Sequence, residues 1–87
     1  MTQPMISQFY LKPKNTVDIH IFKTNIRTEL EADHVIKILN AMTGIRQLTI
    51  DLEDIDKVLR VEASNNLNKR DIIAQVASQG FICKELL

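Results

Sequence analysis

The side chains able to do chemistry are few and scattered. One thiol, Cys83, stands near the C-terminus, and the two imidazoles, His20 and His34, lie well apart. Four carboxylates, Asp51, Glu53, Asp54 and Asp56, crowd one short segment. A soft-metal site needs thiolates or imidazoles at paired spacing, and neither C-x-x-C nor H-x-x-x-H occurs. A calcium loop needs a central glycine among alternating oxygen ligands. No glycine lies between Gly44 and Gly80, and Leu52 and Ile55 interrupt the acidic run, which therefore reads as solvated turn charge. Two glycines in all exclude a glycine-rich phosphate loop, and no Ser/His/Asp motif anchors nucleophilic catalysis. The chain is expected not to be an enzyme and to use no cofactor. Cys83, beside Phe81 and Ile82, reads as a small buried hydrophobe. Cys83, His20 and His34 remain the candidate ligands of a noncanonical metal site, the thiol through sharing between two chains.

The bulk composition narrows the partners. Eleven basic residues balance eleven acidic ones among 87, so the surplus of Lys and Arg that nucleic acid or a membrane surface demands is missing. Nucleic acid and membrane insertion are excluded as expectations, and a metal ion is not an expected partner. No apolar run approaches the roughly 18 residues of a spanning helix. The single cysteine excludes an internal disulfide framework, and the expected setting is cytoplasmic. A chain this short buries about 60–65% of its unfolded surface, enough for one small core.

Six segments must carry that core. Residues 1–16 hold both prolines and no sustained period, and are expected to form an irregular leader before a single domain over 17–87. Val17, Ile19 and Ile21 then alternate with Asp18, His20 and Phe22, the pattern of a half-buried strand. From Thr28 the period changes: Ala32, Val35, Ile36, Leu39 and Met42 form one helical stripe. Thr28-x-x-Glu31 opens it as a capping box, and Gly44 closes it. Leu48, Ile50 and Leu52 mark a second strand; Leu59, Val61 and Ala63 mark a third, across an acidic hairpin turn. Asn68 is the N-cap of a second helix with Ile72, Ile73, Val76 and Ala77 as its buried stripe, closed by Gly80. Phe81 to Lys84 suffices for a last short strand.

The order β-α-β-β-α-β predicts an α+β fold, a ferredoxin-like sandwich. Its four-stranded antiparallel sheet has strands one and three in the centre and both helices on one face. The other face is left open, and Asp18, His20, Phe22, Thr49, Val58, Arg60 and Glu62 are expected on it.

From about Val17 to Leu86 the segments resemble the heavy-metal-associated domain family of copper chaperones and metal-transporting ATPases. The resemblance is carried by Gly44-Ile45 with Leu48-Thr49-Ile50-Asp51-Leu52, by Lys57-Val58-Leu59-Arg60-Val61-Glu62, and by Ile72-Ile73-Ala74-Gln75-Val76-Ala77-Ser78-Gln79-Gly80-Phe81. It implies a soft-metal site in the loop after strand one, where the family has Met-x-Cys-x-x-Cys. A gap-free alignment puts Ile26 at the family's Met, Thr28 at its first Cys and Glu31 at its second. These are degenerate metal-loop positions. Between Phe22 and Leu39 there is no cysteine in any register, and the capping box accounts for Thr28 and Glu31 as structural residues.

What remains is surface. Phe9, Tyr10 and Leu11 have no place in the six-element core, and with Phe22 and Val58 on the open face they form the expected interaction surface. Such a surface serves a protein partner or a homodimer. The expected function is a small domain of this family without soft-metal binding, acting as a protein-interaction or regulatory module. The alternative is a noncanonical metallochaperone or transport accessory using His, Cys or inter-chain ligands.

Overall fold

The computed structural model describes residues 17–86; the leader, with Phe9, Tyr10 and Leu11, lies outside the described residues. The elements are β1 (Val17–Thr24), α1 (Glu29–Asn40), β2 (Ile45–Asp51), β3 (Val58–Ser64), α2 (Lys69–Ser78) and β4 (Cys83–Glu85). The strands form one antiparallel sheet in the order β2-β3-β1-β4, the ferredoxin-like arrangement with β1 and β3 central. Ala32, Val35 and Leu39 of α1 and Ile72 and Val76 of α2 meet Phe22, Leu59, Val61, Ala63 and Cys83 of the sheet in one core.

Each helix begins where its cap permits. At α1 the Glu31 amide donates to Thr28 Oγ1 at 3.1 Å, while Glu31 Oε1 accepts from the amides of Arg27 (2.9 Å) and Thr28 (3.4 Å). The capping box is complete. At α2 the Arg70 amide donates to Asn68 Oδ1 at 2.9 Å. The buried side of α2 is narrower than expected. Ala77 is exposed, because α2 packs toward the sheet edge formed by the three-residue β4, and Ile72, Ile73 and Val76 suffice to cover it. Gly44 has φ +101°, and a Cβ there would stand 2.9 Å from Ser64 Oγ, so glycine is required at the turn into β2.

The phase of β1 is the opposite of the expected one. In an antiparallel pair, residues directly opposite one another share a face. Phe22 lies opposite Leu59, His20 opposite Val61 and Asp18 opposite Ala63, so all three stand on the helix-covered side. Phe22 is fully buried and belongs to no surface. Val17, Ile19 and Ile21 face outward instead, opposite Ser64, Glu62 and Arg60, and Ile19 is 46% exposed. Both parities of β1 carry apolar side chains, so alternation within the strand leaves the choice open. On β3 one parity, Leu59, Val61 and Ala63, is wholly apolar while the other sets Arg60, Glu62 and Ser64 beside Val58, and the register of β3 imposes the answer on β1. The other expected open-face residues, Thr49, Val58, Arg60 and Glu62, do stand there. An Arg60 Nη1–Glu62 Oε2 ion pair of 2.8 Å sits beside the apolar stripe.

The inversion has one cost. His20 Nε2 is buried with no hydrogen-bond partner among the described residues, its ring centroid 6.2 Å from that of Phe22. An unsatisfied buried acceptor or donor costs about 1–3 kcal/mol.

Candidate functional site

The loop between β1 and α1 is the place to look, and it is held from three sides. Thr24, nearly buried, donates through Oγ1 to Lys57 O at 2.6 Å and accepts from the Ile26 amide at 3.3 Å. Its own amide donates to Asp56 O at 3.0 Å. These bonds tie the loop to the β2–β3 turn, where Lys57 takes a left-handed φ of +47°. Lys57 is kept in that conformation by its amide donating to Asp54 O (2.9 Å) and its Nζ donating to Leu52 O (2.6 Å). Across the sheet, the Ile82 amide donates to Asn25 Oδ1 at 2.8 Å, which joins the loop to the α2–β4 connection. Ile26 is fully buried and plugs the core beneath.

Thr28 and Glu31 therefore have structural occupations. The Thr28 oxygen and one Glu31 oxygen are taken up by backbone amides. Cys83 is near the same end of the sheet, opposite Thr24 on β4, but its side chain is in the core. Burial pushes its thiol up to about 12, so it is a protonated thiol and a poor ligand at neutral pH. Cys83 is only 8% exposed, too little surface for its thiol to share an ion with a second chain. His20 and His34 are not brought together with it. His20 is under the helices, whereas His34 is exposed on α1 with Nε2 at 2.8 Å from Gln79 Oε1. Among the described residues no three of His, Cys, Asp and Glu converge as a metal cradle. The residues present at the loop do not fit a soft ion.

No protein-family model matches this chain, and no curated protein matches it. Solved structures do. The CsoZ metallochaperone superposes with a TM-score of 0.69 at 20% identity, over 83% of this chain and 100% of its own. The yeast copper transporter domain Ccc2a gives 0.71 at 18%, over 79% and 94%. The first domain of the human copper chaperone for SOD1, in its copper(I)-loaded form, gives 0.68 at 20%, over 80% and 93%. The fold is the ferredoxin-like βαββαβ sandwich that these domains share. At such identities the likeness speaks for the architecture alone. Among the described residues, no helix is long and apolar enough to cross a membrane.

Next to the loop lies a feature the sequence analysis did not single out. A groove of about 660 Å³ runs between the first turns of α1 and the end of α2 with its following loop. Leu30, Ile36 and Phe81 line it with apolar surface; Glu31, Asp33 and Lys37 of α1 line it as well, and the His34–Gln79 bond joins α1 to the end of α2. Leu30 is 81% exposed. The signal was present: Leu30 sits between Glu29 and Glu31, off the stripe of Ala32, Val35 and Leu39, an apolar residue on the polar side of its helix.

Proposed function

We propose that this chain is a metal-chaperone-like domain that has given up soft-metal binding and works as a protein-interaction or regulatory module without enzymatic activity. The observation that carries the reading is the capping box. At the two positions where the resemblance puts thiolates, Thr28 and Glu31 close a helix end through backbone amides at 2.9–3.4 Å. The single cysteine supports it, because a buried thiol held protonated cannot replace a surface pair. With the metal chemistry gone, what the domain still presents is surface: the groove beside the loop and the apolar stripe of β1. Exposed apolar residues gathered into a patch mark contact sites on soluble domains.

The test is a copper(I) titration of the monomeric protein against a competing chelator. The expected result is no stoichiometric uptake with a dissociation constant below about 1 μM. Tighter one-to-one binding overturns the reading.

A further inference from the structure

Resting on the interaction-module reading, we propose that the outer edge of β2 takes up an extended cationic segment of a protein partner as a fifth strand. The segment's Lys or Arg side chains lie in the groove between α1 and β2. β2 pairs only with β3 and so stands at the edge of the sheet. Its register is irregular between Ile45 and Gln47 and regular from Gln47 to Asp51. Bulges, prolines and lysines are the usual means of closing an edge to further pairing. The regular stretch, Gln47-Leu48-Thr49-Ile50-Asp51, has none of the three. Among the described residues, its backbone makes no bond to other backbone outside the β3 ladder. An edge of this kind binds an extended peptide through main-chain hydrogen bonds, and the side chains beside it choose which peptide.

The groove along that edge makes the choice by charge. It has a volume of about 370 Å³, and its apolar lining comes from Ala32 and Ile36 of α1 with Ile50 and Leu52. Every charged side chain lining it is an acid: Glu29 and Asp33 from α1, Asp51 and Glu53 from the end of β2 and the turn after it. All four are exposed, and none is in an ion pair among the described residues. Side chains of an added strand alternate between the two faces. Those on the helix side fall next to Leu48 and Ile50, whose opposite numbers Val61 and Leu59 are in the core. A Lys or Arg there lays its methylenes on Ile36 and Ile50 and carries its charge to Glu29 and Asp33. A second copy of the chain does not meet these requirements. The one base of its β2, Arg46, sits at the irregular step between Ile45 and Gln47, and its other edge, β4, is three residues long.

The probe is the peptide acetyl-Lys-Val-Arg-Val-Lys-Val-amide, titrated into the full nitrogen-15-labelled chain and followed by amide chemical shifts. The amides of residues 47–51 and 29–33 should move, with a dissociation constant of about 0.1–1 mM for so short a segment. Glu29→Gln with Asp33→Asn should weaken binding about tenfold with an unchanged circular dichroism spectrum, since both side chains are exposed. Added salt should weaken it as well. N-methylating one alternate set of peptide residues should abolish binding and N-methylating the other set should leave it, because neighbouring amides of a strand point to opposite sides. No movement of these amides up to about 5 mM peptide overturns the proposal. So does equal binding by acetyl-Glu-Val-Glu-Val-Glu-Val-amide, or by both N-methylated peptides, which is adsorption without a strand. Movement of the same amides when the chain alone is concentrated to about 1 mM also overturns it, because the edge then belongs to a second copy. The two readings fail separately: copper(I) uptake ends the metal-free reading and leaves these shifts as they are, whereas silent β2 amides end the strand proposal and leave the copper titration as it is.

Discussion

Replacing Thr28 with Ala withdraws the oxygen that accepts from the Glu31 amide at 3.1 Å, and does so at an exposed position where water can partly substitute. The expected loss is about 1 kcal/mol, the usual worth of an N-cap hydroxyl. In a domain of this size that lowers the melting temperature by about 4–8 °C. Thr28→Cys with Glu31→Cys removes both halves of the box, including the Glu31 carboxylate bonds to the Arg27 and Thr28 amides, for about 2 kcal/mol. The double variant also puts two sulfurs at the first and fourth residues of a helix start, on a loop clamped by Thr24 and Asn25. Copper(I) supplied at about a hundred times its dissociation constant should then return about 2.7 kcal/mol, more than the cap removed. Thermal melts followed by circular dichroism read every step: down for each apo variant, and up with metal for the double variant only. An apo Thr28→Ala that melts with the wild type would refute the reasoning, because the cap would then stabilise nothing and would not account for these residues.

Two further outcomes follow from burial. Phe22→Ala should cost about 3–5 kcal/mol in urea denaturation, and Ile19→Ala less than about 1 kcal/mol; the reverse order would restore the β1 phase that alternation suggests. The folded Cys83 thiol holds its proton to about 12, against an ordinary 9.0, through desolvation. As pH rises through that window the unfolded chain releases a proton that the folded one keeps, so stability is full below the window and falls within it, by at most about 1.4 kcal/mol per pH unit. Urea melts at several alkaline pH values should show a steeper fall for the native sequence than for Cys83→Ala, and equal slopes would contradict the burial.

How far the sequence could be read varies element by element. The capping box was legible because it is local: four consecutive residues contain both donors and both acceptors. The β3 face was legible because Leu59, Val61 and Ala63 make one parity wholly apolar. The burial of Cys83 was legible from its apolar neighbours and the lack of a second thiol. The groove was not, although Leu30 hinted at it, because its walls come from α1 and from the end of α2, segments separated by some forty-five residues, as the His34–Gln79 contact records.

The amino-acid order alone determined the six elements, their caps and their sequence along the chain, since each depends on interactions within a few residues. From these the sheet order followed by the handedness of crossovers. Only the assembled sheet decided which side of β1 is buried, because that choice belongs to the partner strand: Phe22 goes where Leu59 already points, and His20 goes with it, its Nε2 buried without a partner among the described residues. Likewise, only packing decided what Leu30 faces. A side chain's periodicity states that it has a side; its neighbours across the fold state which side that is.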